Sequence, residues 1–234
     1  MAGRGQSENH PKVRAFLFDA DGVLYYRPHK SRFLVAFLQE LGLALPEEGD
    51  LRAMRDQLKA ESFRGTISRK EYFDRQLKAL GVTDEIDLSR GREVMIREAG
   101  AIRLHEGVLP TLAELKRRGF MLGIVTNTAH PTEVKLGWLR CEGVGGDVFD
   151  VVASSCEVGI SKPEPGIYEA ALEQLDLSAP YAAFVGHATD ELEGARAVGL
   201  VTVAYNFEPD ARANYYMRHF SDLLDLSMAI VPTE

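Results

Sequence analysis

The sequence lacks the features that mark several common classes of protein. It has two cysteines, Cys141 and Cys156, in 234 residues, which provide neither a disulfide framework nor a Cys-x-x-Cys metal site. No apolar run approaches the roughly 20 residues that a membrane-spanning helix needs. Lys and Arg number 27 against 35 Asp and Glu, a formal net charge of −8. We therefore expect neither nucleic acid nor a membrane as a partner.

The rest of the composition is that of a globular protein, with 45% hydrophobic and 26% charged residues. Residues 1–10 are polar and carry no apolar signal-peptide core, so we expect a flexible tail and a cytoplasmic protein. The length allows one large domain or two small ones. In a chain this acidic, an anionic substrate would need a local positive site, such as a metal ion, a lysine or a helix N-terminus.

The stretch Phe16-Leu-Phe-Asp-Ala-Asp-Gly-Val-Leu24 carries the strongest local signal. An apolar run that ends in turn residues is typical of a buried strand in a parallel sheet. Residues i and i+2 of an extended chain point the same way, so Asp19 and Asp21 could face one site. Their mutual repulsion and their oxygen ligands favour a hard cation such as Mg²⁺ between them. The alternative is an ordinary Asp-rich turn.

Residues 25–103 have a helical character. Apolar residues recur at helical spacing, Gly42 and Gly81 are suited to end helices, and Ser68-Arg-Lys-Glu71 forms a capping box. We find no convincing strand signal in this block. The pattern therefore predicts about four helices, placed as an insert over residues 27–103.

From residue 106 onward, strand and helix patterns alternate, which predicts a doubly wound parallel sheet. The core would then comprise residues 1–26 and 104–234. The carboxyl ends of parallel strands meet at one edge of the sheet, so we expect the polar residues at four predicted strand ends to converge there. These residues are Asp19 and Asp21, Thr126 and Asn127, Lys162, and the segment from Gly186 to Glu191.

Taken in this order, the motifs resemble those of haloacid dehalogenase superfamily hydrolases whose helical cap follows the first strand, the subfamily I arrangement. Asp19-Ala-Asp-Gly-Val-Leu24 resembles the first motif, DxDGxL, while Thr126, Lys162 and the stretch from Gly186 to Gly199 resemble the second, third and fourth. The resemblance implies an α/β fold with a Rossmann-like, doubly wound parallel sheet core and an inserted α-helical bundle cap.

The resemblance also implies catalytic roles. Asp19 would attack phosphorus and form an aspartyl-phosphate, and Asp21 would act first as a general acid and then as a base. Thr126 would donate its hydroxyl to a phosphoryl oxygen, and Lys162 would offset negative charge. The non-catalytic alternatives are that Thr126 only caps a helix and that Lys162 is a solvent-exposed charge. The implied phosphate-binding residues are Asn127, Thr128 and Lys162.

The fourth motif departs from the usual phosphatase pattern Gly-Asp-x-x-x-Asp, because His187 stands where a carboxylate is expected. The implied metal ligands are Asp19, Asp21 through its backbone carbonyl, His187 and Glu191. Imidazole suits Zn²⁺, Mn²⁺ or Ni²⁺ better than Mg²⁺. Three outcomes stay open: weakened Mg²⁺ binding, a changed metal preference, or a site that binds metal poorly.

The second carboxylate, Asp21, favours a phosphatase over a dehalogenase, because an alkoxide leaving group needs a proton and a halide does not. We therefore expect a metal-dependent hydrolase of small phosphorylated metabolites, acting as a monomer or homodimer. Two alternatives remain: a hydrolytic dehalogenase of small halo-acids, and a catalytically weak protein that binds a phosphorylated ligand or a partner. The cap would close over the site and exclude water.

Overall fold

The computed structural model describes residues 13–29, 31–44 and 52–230; the tail predicted over residues 1–10 lies outside them. The strands are β1 (Ala15–Phe18), β2 (Tyr25–Tyr26), β3 (Arg103–Leu104), β4 (Met121–Thr126), β5 (Val151–Ser154), β6 (Ala182–Gly186), β7 (Val201–Tyr205) and β8 (Tyr215–Met217). The main sheet has six parallel strands in the order β5-β4-β1-β6-β7-β8. This topology confirms the doubly wound parallel sheet.

Helices cover both faces of the sheet and form the insert. They are α1 (Arg32–Glu40), α2 (Arg52–Phe63), α3 (Arg69–Ala79), α4 (Glu85–Gly100), α5 (Val108–Arg117), α6 (Thr132–Cys141), α7 (Ser155–Val158), α8 (Pro165–Gln174), α9 (Thr189–Val198) and α10 (Asp222–Ile230). Within the described residues, no helix combines the length and the apolar character that crossing a bilayer requires.

Strand β1 lies at the centre of the sheet because both of its faces are apolar. Phe16 and Phe18 pack into one hydrophobic cluster, and Ala15 and Leu17 pack into the cluster on the opposite face. Alternate residues of a strand point to opposite faces, so this one short strand contributes to both layers. Burying each phenylalanine stabilises the fold by roughly 1.5–3 kcal/mol. The residues that follow β1, Asp19 and Asp21 among them, therefore lie at the carboxyl edge of the sheet.

Helices α1 to α4 form the predicted cap, and they have a core of their own. Phe37, Leu77 and Leu88 are among the buried residues of that core. The Ser68 hydroxyl accepts a hydrogen bond from the Glu71 N–H at 3.1 Å, which is the N-cap half of the predicted capping box, while the Glu71 carboxylate contacts Arg75. The fold therefore contains the inserted helical bundle, whereas the exact division at residues 27–103 stays a prediction.

Two antiparallel strands, β2 and β3, join the cap to the core, with Tyr25 opposite Leu104. The prediction of no strand over residues 25–103 was wrong at both ends of that block. These strands are two residues long, which is too short to produce an alternating pattern. Strand β8 was also missed, and it is three residues long.

Candidate active site

A cleft of about 860 Å³ opens between the sheet edge and the cap. From the core, its lining includes the residues that follow β1, the end of β4 and the residues that follow β6. The cap contributes side chains from all four of its helices. The predicted residues that line it are Asp19, Asp21, Thr126, Asn127, His187 and Glu191. The structure thus brings together polar groups from distant parts of the sequence, as expected for the carboxyl edge of a parallel sheet.

Asp19 follows β1 and is buried, with 5% of its surface exposed. Its Oδ1 accepts hydrogen bonds from the Ala20 N–H at 2.8 Å and from the Lys162 Nζ at 2.6 Å. Burial raises the pKa of this carboxyl, but Lys162 and His187 outweigh burial and lower the pKa to about 2. Asp19 is therefore an ionised, desolvated carboxylate at neutral pH, the form that a nucleophile requires.

Lys162 is a buried cation held between two carboxylates. Its Nζ donates to Asp19 at 2.6 Å and to Glu191 Oε2 at 2.8 Å. Burial lowers the pKa of Lys162, but the two carboxylates outweigh it and the net shift is upward. Burial raises the pKa of Glu191 despite the neighbouring ammonium. The structure thus excludes the reading of Lys162 as a solvated charge.

Asn127 holds Lys162 in place through the backbone. The Asn127 side-chain amide donates to the Lys162 carbonyl at 3.0 Å, and its Oδ1 accepts from the Lys162 N–H at 2.8 Å. This clamp is needed because Lys162 does not stand at a strand end, as was predicted; α7 separates it from β5. Asn127 therefore positions the third motif and also lines the cleft.

Thr128, which was also predicted to bind phosphate, lies away from the cleft that Asn127 lines. It is 3% exposed, its hydroxyl accepts a hydrogen bond from the His130 N–H at 3.0 Å, and its N–H donates to the Ser155 hydroxyl. It is absent from the lining of the cleft. Its predicted role in phosphate binding therefore has no support from the placement of its side chain.

Asp21 lies at the mouth of the cleft, and its side chain is 54% exposed. Its Oδ2 is in close contact with Arg27 Nη1, while Arg27 Nε donates to the carbonyl of Ala99, in α4, at 3.1 Å. Arg27 was not among the predicted site residues. It links the second carboxylate to the cap, a contact between segments 72 residues apart that the sequence pattern does not reveal.

A second buried lysine, Lys135, was also missed. It lies on α6, is 4% exposed, and donates from Nζ to Thr126 Oγ1 at 2.7 Å. Burial lowers the pKa of Lys135 to about 8, although Asp19 and Asp21 act in the opposite direction. The available signal was a lysine one helical turn before the buried Leu139, on the apolar face of an amphipathic helix.

Three of the predicted metal ligands come together. Ligand atoms of Asp19, His187 and Glu191 lie within 4.8 Å of one another, and among the described residues the Asp21 side chain is not part of this group. His187 Nδ1 lies 3.1 Å from Asp19 Oδ2, about the spacing of neighbouring ligands around an ion at roughly 2.1 Å. Two carboxylates and an imidazole therefore fit a divalent cation.

The same cluster also shows what opposes metal binding. The nearby Asp19 carboxylate raises the pKa of His187, so a proton competes with a metal for the imidazole nitrogen. The Lys162 ammonium lies between Asp19 and Glu191 and already offsets part of their charge. A metal ion that binds here must therefore displace a proton from His187 and compete with the Lys162 ammonium for the two carboxylates.

Helix α9 packs directly on the Lys162 segment at Gly194. An added Cβ there would lie 2.4 Å from the carbonyl oxygen of Pro163. We expect Gly194→Ala to destabilise the fold by about 1–3 kcal/mol, because the backbone must move apart. Urea unfolding measures this change. Gly137→Ala is the matched helical control, since the nearest atom would be 3.8 Å away; a similar urea midpoint for both variants would contradict the prediction.

Comparison with known proteins agrees with this geometry. The family model for haloacid dehalogenase-like hydrolases matches residues 13–199. Glyceraldehyde 3-phosphate phosphatase of Methanopyrus kandleri is 28% identical over 201 residues, 82% of this chain and 83% of that protein. The alignment covers most of the relative, so the similarity is not confined to one motif.

Solved structures show the same fold. A 2-haloacid dehalogenase from Pseudomonas syringae pv. Tomato DC3000 has a TM-score of 0.68 at 22% identity, covering 93% of this chain and 98% of that one. A predicted phosphoglycolate phosphatase from Haemophilus somnus 129pt has a TM-score of 0.67 at 18% identity, covering 93% and 99%. Because the family model spans most of the sequence, the chain belongs to the haloacid dehalogenase-like hydrolases.

Proposed function

We propose that this hydrolase is a metal-dependent phosphatase that cleaves small phosphate monoesters through an aspartyl-phosphate on Asp19. One observation carries the choice: Asp21, a second carboxyl group, faces the same cleft as Asp19. An alkoxide leaving group needs a proton donor, whereas a halide leaves as a stable anion. A phosphatase uses both carboxyl groups, while a dehalogenase leaves the second one without a task.

In the first step, a carboxylate oxygen of Asp19 forms a bond to phosphorus while the bond from phosphorus to the ester oxygen breaks. Asp21, protonated, gives its proton to that leaving oxygen, and the alcohol departs. Lys162 offsets the charge of the phosphoryl oxygens, and the Thr126 hydroxyl donates to one of them. The low pKa of Asp19 supports its role as the attacking group.

In the second step, water attacks the phosphorus of the aspartyl-phosphate. Asp21 accepts a proton from that water, and the bond between phosphorus and the Asp19 oxygen breaks. Inorganic phosphate leaves, Asp19 is again a carboxylate, and Asp21 is again protonated for the next cycle. A divalent ion such as Mg²⁺, held by Asp19, His187, Glu191 and the Asp21 carbonyl, would neutralise phosphate charge.

The cap wall of the cleft suits a small polar substrate. Arg55 and Lys59 of α2 and Tyr72 and Gln76 of α3 line it, and all four side chains can donate hydrogen bonds. The Gln76 side chain also hydrogen-bonds with the Tyr72 hydroxyl, so these two polar groups face the cleft together. We therefore propose a phosphorylated metabolite with further oxygen substituents, bound by a monomer or homodimer.

The second candidate is a protein of the same fold that binds a phosphorylated ligand without turnover. The observation in its favour is His187 at the position of an expected carboxylate, with its pKa raised by Asp19. Such a site would hold anions through Lys162 while binding metal weakly. This second function predicts that the protein binds phosphate but releases no product from a phosphorylated substrate.

Phosphate release from an aryl phosphate and a panel of metabolite phosphates tests the proposal. We expect release that depends on Mg²⁺, Mn²⁺, Zn²⁺ or Ni²⁺, stops with chelator, and is absent in Asp19→Asn. Halide release from 2-halo-acids is the parallel assay. Halide without phosphate would identify a dehalogenase, and phosphate binding with neither product would favour the binding protein.

A further inference from the structure

Lys135 is a buried cation whose hydrogen-bonding partner is neutral. Its Nζ donates to the hydroxyl of Thr126 at 2.7 Å and lies 5.8 Å from the centre of the Tyr25 ring. The other buried lysine of the described residues, Lys162, contacts two carboxylates instead. Within the part of the chain that the structure describes, Lys135 thus lacks the direct ion pair that normally accompanies a buried charge.

Burial of an ammonium without a carboxylate partner is unfavourable for folding. A leucine or methionine would fill the same space between α6 and the sheet without that cost. The carboxylates of Asp19 and Asp21 act on Lys135 from a distance, and Arg27 and Lys162 oppose them as like charges. A stabilising role therefore does not explain Lys135, whereas its contact with Thr126, which lines the cleft, does.

The hydrogen bond also determines how Thr126 can act. An ammonium group only donates, so the Thr126 oxygen must accept from it. The single hydroxyl proton of Thr126 is then free to point elsewhere. Thr126 lies at the end of β4 and lines the cleft, so the direction left for its proton is towards a ligand.

We propose that Lys135 is a positioning residue for phosphoryl transfer. It holds the Thr126 hydroxyl as a hydrogen-bond donor to a phosphoryl oxygen and adds a fixed positive charge behind that oxygen. This inference rests on the proposed phosphatase function. It supplies a cation that does not depend on metal, at a site where a histidine has replaced a carboxylate ligand.

A double-mutant cycle tests the proposal, with kcat/KM for an aryl phosphate as the readout. Lys135→Met is expected to lower kcat/KM by about 10-fold, and Thr126→Val by about 100-fold. Because Lys135 acts largely through Thr126, the double variant is expected to match Thr126→Val to within about threefold. Losses that simply multiply would overturn the positioning role.

Lys135→Gln separates the hydrogen bond from the charge, since its amide still donates to Thr126. We expect Lys135→Gln to recover part of the activity that Lys135→Met loses, and equal losses would count against positioning. Lys78→Met, an exposed lysine on α3, is the matched control and must behave as wild type. Thermal unfolding of Lys135→Met is expected to show no loss of stability, so a folding defect would be detected separately.

The proposed phosphatase function fails if the wild-type protein releases no phosphate from any substrate. This outcome is seen without any Lys135 variant. The inference is then judged on the dissociation constant for inorganic phosphate, measured by calorimetry. Lys135→Met is expected to weaken that binding about 10-fold relative to wild type and to Lys78→Met. An unchanged dissociation constant, or no phosphate binding by wild type, would overturn it.

Discussion

Asp19→Asn is expected to lower kcat for phosphate release by at least about 10⁴-fold, as the loss of a covalent nucleophile does in other enzymes. The amide oxygen of asparagine carries no negative charge and cannot form the aspartyl-phosphate. The electrostatic surroundings of Asp19 are arranged for the anion, since Lys162 Nζ lies 2.6 Å from one carboxylate oxygen and His187 Nδ1 lies 3.1 Å from the other.

Asp19→Asn also changes the free energy of unfolding, and the pKa of Asp19 determines the direction of that change. The pKa of Asp19 is lowered from 3.8 to about 2 in the folded protein, so the ionised carboxylate stabilises the fold above about pH 4. This stabilisation, on the order of 2 kcal/mol, is lost as the pH falls through the folded-state pKa. Asp19→Asn should therefore unfold more easily at pH 7, and the difference should shrink near pH 2.

Asp176→Asn is the matched control for this experiment. Asp176 is exposed and adopts a φ of 50°, a left-handed conformation that asparagine tolerates well, so this variant should be fully active. A peptide phosphorylated at Asp19, recovered from acid-quenched wild-type turnover, would support the covalent step. An active Asp19→Asn protein would exclude it.

The predictions that succeeded rest on one physical rule, the convergence of strand ends in a parallel sheet. Asp19 follows β1, Thr126 ends β4 and His187 follows β6. Strand β1 lies between the other two and pairs with both. Their shared cleft follows from the topology alone. The burial of β1 is equally local, because a continuous apolar run that ends in turn residues is typical of a strand covered on both faces.

The features that the sequence did not reveal depend on contacts between segments outside that rule. Thr128 lies beyond β4, where no regular period determines which way a side chain points. The contacts of Arg27 with Asp21 and Ala99 depend on how the cap docks. In the sequence, Lys135 is an ordinary helical lysine, and only the packing of α6 against the end of β4 brings it to Thr126.

His187→Asp is expected to lower the Mg²⁺ concentration for half-maximal activity by about 10- to 100-fold, the range in which changes around a metal site act. Carboxylate oxygen is a preferred ligand of Mg²⁺, and imidazole is not. The fold should accept the change, because the His187 ring packs over the backbone of Gly22 and aspartate is smaller.

The pH dependence of metal activation distinguishes coordination by His187 from a neighbouring role. Asp19 raises the pKa of His187, so protonated imidazole opposes the metal at low pH. In wild type, the half-saturating Mg²⁺ concentration should therefore fall as the pH rises through that raised pKa. In His187→Asp it should be nearly constant from about pH 6 to 8, because a carboxylate stays ionised over this range.

Two further variants make the experiment decisive. His219→Asp adds the same charge at an exposed position and should leave metal activation unchanged, which excludes a general effect of negative charge. His187→Ala removes the imidazole without replacing it, and should raise the half-saturating metal concentration if His187 coordinates. If His187→Ala and His187→Asp both keep the wild-type metal dependence, position 187 does not bind the ion, and Asp19 and Glu191 must hold it without that side chain.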